Sequence, residues 1–442
     1  TTGKNNVFLG PYAGCCNTAS SYNIAIGRMA MCGGNGGALN VAIGNRALQV
    51  NTGSHNNALG GGALAGNTSG ACNTASGYGS LGANTTGQFN TAYGYNSLKN
   101  TQTCSHNTAI GSCSAYTANG ATQIVAVGSL ALAALTTGDN NTGVGFKALT
   151  TNTTGQNNTA LGACALIVNT TAVKNTAVGF RSLYSNTTGT CNQAFGSEAM
   201  NQGTTGSYNT AIGSRAMYSL TTGSANVAIG KDAIYYLTTG THNTALGNAA
   251  LINTSTATFN TGSGSYALYT NTTGTHNSGF GGCALFSNTT ASYNVAVGHA
   301  SLRSNTTGAK NTATGFEVLK NNTTGTQNTA SGMRALVTNT TGSLNTASGN
   351  YALFANTTGC YNTATGYESL KANTTASFNT GFGARALCLN TTGIENTATG
   401  YSALKLNTTG CFNTASGSGS LYTNSTGCNN TAYGKGSMVL NT

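Results

Sequence analysis

A chain of 442 residues with 63 Gly, 1 Pro, no Trp and only 17 basic and 6 acidic side chains falls far below the roughly one quarter of charged residues in ordinary globular domains. The net charge is +11, and the scarcity of carboxylates leaves almost no supply of general acids and bases. Gly, Asn, Thr and Ser make up so much of the rest that composition alone would describe a disordered, low-complexity chain; a strict period excludes that.

Counting the Asn of N-T-A-x-G as position 0, the sequence divides into 26 units that start at Asn6 and end with the unit of Asn430. Every step is 17 residues except Asn40 to Asn56, which is 16. Position 0 is Asn in 25 units, with Ile124 the exception, and position +4 is Gly in all 26. Position +2 is Ala in 21, +7 is Ala or Ser in 25, and +8 is Leu, Met or Ile in 24. The consensus N-T-A-x-G-x-x-A-L-x-x-N-T-T-G-x-x is too short for a helix pair and too rich in Gly, Asn and Thr for helix. It predicts one coil of a parallel β-solenoid or β-roll per unit. A first strand is expected over 0 to +4 and a second over about +6 to +10. The Gly at +4 would turn the first corner, and N-T-T-G at +11 to +14 the second.

The charges give an independent reading of the faces, because a solenoid carries charge only where a column meets water. Lys and Arg occupy +5 or +6 (Arg28, Arg46, Arg334, Arg385), +9 (Lys99, Arg303, Lys320, Lys371) and +15 or +16 (Lys4, Lys310), and the acids keep to the same columns (Glu317, Glu368, Asp139, Glu395). Those columns are therefore outside, with Ala +2 and Leu +8 inside. On the first strand, +1 and +3 point away from +2 yet are often apolar, as in Ile24 and Ile26, Val227 and Ile229, or Val295 and Val297. Apolar residues on both faces imply a second covering surface, and the economical one is self-association as a parallel homotrimer. Toward the C-terminus +3 turns polar (Thr314, Ser331, Ser348, Thr365, Thr399, Ser416), so the interface should become wetter there.

Segments such as Asn23-Ile-Ala-Ile-Gly27, Asn226-Val-Ala-Ile-Gly230 and Asn294-Val-Ala-Val-Gly298 resemble the head repeats of YadA-like trimeric autotransporter adhesins. The longer N-T-A-x-G-x-x-A-L-x-x-N-T-T-G form is similar to repeats of tail-fibre-like proteins of phages and large viruses. The resemblance implies a trimeric left-handed β-roll serving as a fibre or adhesin on a cell or virion surface, in an extracellular setting. The period here is longer than in the adhesin head, and no coiled-coil stalk or membrane-anchor barrel is visible in the sequence.

The chain runs from Thr1 to Asn441-Thr442, which stops within a unit; a window on a longer fibre protein is expected, and the alternative is end-to-end polymerisation. Joining Asn430–Thr442 to Thr1–Asn5 gives 18 residues, one more than a unit. No apolar run of about 18 residues predicts a membrane span.

Chemistry is sparse. The five His (His55, His106, His242, His276, His299) sit in outward columns of separated coils, no Asp-rich calcium repeat is present, and no catalytic, cofactor or metal residue is nominated. Binding of a specific nucleic acid is not expected, since the positive charge is diluted to less than one per coil; anionic cell-surface glycans or a host receptor remain as partners. Same-column Cys in successive coils lie one strand spacing apart, about 4.8 Å, within the range for a disulfide. The pairs Cys15–Cys32 and Cys411–Cys428 meet that condition. Asn at +11 creates N-x-S/T sequons at Asn84, Asn152, Asn186, Asn271, Asn305, Asn339, Asn373 and Asn407, read either as a ladder of stacked amides or as a row of glycosylation sites. The functional expectation is a non-catalytic structural fibre or adhesin shaft forming an elongated rod or filament. An ice- or glycan-surface-binding β-solenoid is the alternative, and a glycan lyase stands third because no acidic cluster breaks the repeat.

Overall fold

The computed structural model describes residues 2–35 and 37–440; Thr1, Asn441 and Thr442, on which the end-joining expectation partly rests, lie outside the described residues. The chain divides into two compact units, Thr1–Gly223 and Ser224–Thr442. Each is a parallel β-solenoid built from one three-residue strand per coil, with no helix among the described residues. The first unit runs from β1 (Val7–Leu9) to β13 (Thr210–Ile212), and the second from β14 (Val227–Ile229) to β26 (Thr431–Tyr433).

Within each unit every strand pairs with the next in chain order, and the register is column on column: Ile24 with Val41, Ala25 with Ala42, Ile26 with Ile43, and Thr329 with Thr346, Ala330 with Ala347, Ser331 with Ser348. The 16-residue unit keeps this register, since Val41 pairs with Asn57. Its missing residue falls in the Thr-Thr turn: Gly53 takes the place of the +14 Gly, its carbonyl accepting the side-chain amides of Asn40 and Asn51.

The strand covers only +1 to +3, and the second strand expected over +6 to +10 does not form. The reason is backbone conformation. Residues at +6 and +8 have positive φ, as at Arg334 (54°) and Leu336 (50°), so this stretch is two successive turns closed by Ala335 N–H to the Gly332 carbonyl and Asn339 N–H to the Leu336 carbonyl. Its remaining amides bond singly to neighbouring coils: Arg334 N–H to the Phe316 carbonyl and Leu336 N–H to the Ala352 carbonyl, both 3.0 Å. The turns are thus stacked by hydrogen bonds as the strands are, and few backbone groups need water.

The Gly at +4 follows the sequence expectation. Its φ lies between +103° and +142° throughout, a region closed to residues with a Cβ. A Cβ on Gly298 would also lie 2.3 Å from the carbonyl oxygen of Gly315 in the next coil.

The interior has an apolar and a polar half. Ala at +2, Ala or Ser at +7 and Leu at +8 are almost fully buried, for example Ala330, Ala335 and Leu336. Across from them the position-0 Asn side chains between the chain's ends are equally buried and bond from coil to coil as a ladder, interrupted at Ile124. Asn345 shows the pattern. Its Oδ1 accepts the backbone N–H (3.0 Å) and Nδ2 (3.1 Å) of Asn362, and its own Nδ2 donates to Asn328 Oδ1 (3.1 Å) and the Gly359 carbonyl (2.8 Å).

Leu268 at +8 is fully buried and Tyr266 at +6 is 40% exposed. Replacing Leu268 by Asp should cost more than about 4 kcal/mol, because an unpaired carboxylate would be buried. Tyr266→Lys should cost less than about 1 kcal/mol. Thermal melts of the two variants followed by circular dichroism check the assignment of faces, which equal destabilisation would reverse.

Candidate functional site

The eight Asn of the +11 sequons, Asn84, Asn152, Asn186, Asn271, Asn305, Asn339, Asn373 and Asn407, are all buried, none more than 1% exposed. They form a second amide ladder parallel to the first: Asn305 Nδ2 donates to Asn288 Oδ1 (2.9 Å), Asn339 to Asn322 (2.7 Å), Asn373 to Asn356 (2.9 Å) and Asn407 to Asn390 (2.8 Å). Where a coil carries both Asn, the two converge on one carbonyl, that of the residue at +14. Asn328 and Asn339 both donate to the Gly342 oxygen at 2.9 Å, which pins the N-T-T-G corner. An N-linked glycan attaches at Nδ2, the atom committed to these inward bonds, so a row of glycans along this edge does not fit the folded chain.

The +11 ladder has gaps, and the gaps have consequences. Thr254 stands in this column between Leu237 and Asn271, and its buried Oγ1 has no partner. Asn271 below it donates only to the Gly274 carbonyl (3.0 Å). Thr254→Asn should supply the missing acceptor to Asn271 and raise stability by about 1 kcal/mol. Asn345→Ala, which strands donors of Asn362, should lower it by about 2–4 kcal/mol, each buried orphan costing about 1–3. Urea denaturation of the two variants measures both signs.

The four candidate disulfide cysteines are thiols in the structure. Cys15 Sγ is directed at the Cys32 carbonyl oxygen (3.0 Å), and Cys428 Sγ accepts the N–H of Cys411 (3.1 Å). In that second pair the sulfur takes the role that Ser Oγ plays elsewhere in the +15 column, where Ser343 and Ser377 accept the N–H of Thr326 and Cys360 (both 2.9 Å). The +9 column is less outward than its charges suggest, since Cys32 and Cys388 are buried. Burial pushes the Cys388 thiol up, and that of Cys104.

The five His are exposed as expected. Among the described residues no group of His, Cys, Asp and Glu could hold a metal ion. Two carboxylates are committed to identical ion-pair clusters three coils apart. Glu317 binds Lys320 Nζ (2.7 Å) and Arg334 Nε (2.8 Å), and Glu368 binds Lys371 Nζ (2.7 Å) and Arg385 Nε (3.0 Å). Each acid at +6 thus ties its own coil's +9 to the next coil's +6. The hydrogen bond from Lys320, aided by Arg334, holds the Glu317 carboxyl below its ordinary value of 4.5. A depressed folded-state pKa contributes stability above the unfolded value and loses it as pH falls through the folded one. Glu317→Gln should therefore cost about 0.5–1 kcal/mol at neutral pH, and the gap to wild type should narrow as pH falls below 4.5 through the lower folded-state value, as read from melting temperatures across an acid series.

Two exposed features have clear geometry. The first is the +1/+3 face of the strands, which flanks buried Ala and carries Leu9 (64% exposed), Leu59 (52%), Ile110, Leu161, Ile229, Val297 and Phe382. The second, which the sequence reading missed, is a ring stack in the +16 column. His242, Phe259, His276 and Tyr293 follow one another at centroid spacings of 4.8, 5.1 and 5.0 Å, and Tyr361 stacks on Phe378 at 5.0 Å. The 17-residue spacing of aromatic residues was the available signal.

No helix among the described residues is long and apolar enough to cross a membrane. No protein-family model matches the chain, no curated protein matches it, and no solved structure matches it.

Proposed function

We propose that this chain is a non-catalytic structural element, the shaft of a fibre or adhesin on an extracellular or virion surface, which works by associating with further copies of itself. The observation that carries the reading is the +1/+3 face. Most strands from β1 to β18 carry Val, Ile, Leu or Phe on the side opposite the buried Ala, many of them exposed, as at Val295 and Val297, and exposed apolar surface of this kind marks an association surface. In-register copies around a common axis, three in the arrangement that the resemblance implies, bury the stripes of all chains at once, and like columns meet like columns. The commitment of Glu317 and Glu368 to ion pairs also fits a structural role.

A surface-binding solenoid is the second reading. The +13 Thr is exposed in every coil of the second unit from Thr239 to Thr426, a regular column of hydroxyl and methyl groups at strand spacing. Thermal hysteresis of ice growth in the presence of the purified chain distinguishes it.

For the leading reading, sedimentation equilibrium of the wild-type chain should give an oligomer, three chains in the expected case. Val295→Lys with Val297→Lys places charge on the exposed stripe and should shift the chain toward monomer without lowering the monomer's melting temperature. A wild type that stays monomeric at every accessible concentration overturns the reading.

A further inference from the structure

In the first unit one coil carries no side chain larger than a methyl at any of the outward positions +5, +6 and +9. In the coil of Asn56, positions +5, +6 and +9 are Gly61, Gly62 and Ala65, so no side chain covers the turn. The preceding coils are furnished with Arg28, Asn45, Arg46 and Gln49, and the following coil closes the +5 column with Tyr78 while its +6 and +9 are Gly79 and Gly82. The result is a groove of about 420 Å³ lined by these residues, within the range of about 300–1,000 Å³ usual for ligand pockets.

Its walls have a definite chemistry. Tyr78 is 64% exposed and stacks one face on Tyr95 at 5.8 Å with an 11° tilt. Its other face looks toward the vacant +5 position, where a Cβ on Gly61 would lie 3.3 Å from the ring. From Asn45 to Tyr78 is two coil rises, about 9.6 Å, which leaves one ring layer at ordinary stacking distance from Tyr78. Arg28 and Arg46 sit in successive coils, joined by Arg46 N–H to the Arg28 carbonyl (3.0 Å). No Asp or Glu occurs in the chain before Asp139, so neither guanidinium has a carboxylate to neutralise it. Asn45 and Gln49 add two amides, each with both donors and an acceptor.

We propose that this missing rung is a binding site for an acidic saccharide, a pyranose ring bearing a carboxylate or sulfate. The ring lies on the open face of Tyr78 as the next layer of the Tyr78–Tyr95 stack. Its anionic group is held by the Arg28 and Arg46 forks, whose planar donors match two oxygens of a carboxylate or sulfate. The amides of Asn45 and Gln49 meet the neighbouring hydroxyls, which likewise both donate and accept. The assignment does not depend on self-association, since the groove lies within one chain.

The test is calorimetric titration of the full chain with tri-galacturonate, a heparin-derived tetrasaccharide, neutral maltotriose and AMP. Either acidic saccharide should bind, more weakly as salt is added, and the tighter of the two identifies the anion; maltotriose should not. Arg46→Ser should weaken binding about tenfold or more. Gly61→Tyr fills the vacant rung with the residue found at +5 in the next two coils, at a position without positive φ, so it should melt as wild type does and bind neither saccharide. Failure of both acidic saccharides to bind, undiminished binding by the Gly61→Tyr chain, or tighter binding of AMP than of either saccharide would overturn the assignment.

Discussion

The structure depends on one constraint: a polar group buried in one coil must be answered by the same column of the next. The position-0 Asn meets it with a single side chain. Its Oδ1 takes both the backbone N–H and the side-chain amide of the following Asn, while its Nδ2 reaches the +14 carbonyl of its own coil, as Asn345 does with Asn362 and Gly359. An amide has the donor and the acceptor that this needs; Asp lacks the donor and Ser the reach. Because the bonding runs from column to column, any coil of the wrong length would break contacts above and below it. The single 16-residue unit is tolerated because its deletion falls in the Thr-Thr turn, leaving Asn40, Asn51 and Gly53 in their places.

Ala and Leu alone bury little apolar area in so narrow a coil. The amide ladders add hydrogen bonds that are strong in a low-dielectric interior when complete and costly when they are not. The +11 column shows the rule at work. Ala118 and Leu135 are adjacent substitutions that remove the amide from neighbouring coils together, leaving an apolar patch with fully buried side chains. Removing both partners of a buried hydrogen bond is nearly neutral, whereas removing one strands the other. The ends of such runs are where unanswered atoms gather, as at Asn84 Oδ1 and Thr254 Oγ1. Stability in each unit is then close to a sum of coil and neighbour terms, as in other repeat arrays.

The period, the corner Gly and the buried Ala and Leu columns were all readable in the residues, because each rests on a restriction that one amino acid meets. The backbone of the second half-coil was not. Leu at +8, as at Leu336 and Leu353, holds φ near +50°, a conformation that costs an L-residue roughly 1–2 kcal/mol and that sequence reasoning therefore assigns to Gly or Asn. It persists because the Leu side chain is wholly buried and its N–H is bonded to the next coil, an arrangement visible only once the coils are stacked. A ladder of stacked amides at +11 was one of the two readings of the sequence, but that both Asn columns lie inside was hidden for a similar reason: a lone Asn prefers the surface, and only a stack of them makes an interior partner. The groove beside Tyr78 was equally hidden, since Gly61, Arg46 and Tyr78 are neighbours in column space and 15 to 32 residues apart in sequence.

A scaffold whose interior is specified by columns leaves its outward columns free to differ from coil to coil. The +1/+3 face uses that freedom gradually, passing from Val and Ile around Val227–Ile229 to Thr and Ser around Thr346–Ser348, with Phe382 as an exposed apolar exception. The +16 column uses it in blocks, as in the ring stack from His242 to Tyr293. Repetition of a column makes an extended surface that suits a long partner such as another copy of the chain, because every rung offers the same contact. A small ligand needs the opposite, a position that differs from those above and below it. In a repeat this regular, a local site arises where a rung is omitted and its neighbours are not, which is the arrangement of the +5 column at Gly61, between Asn45 and Tyr78.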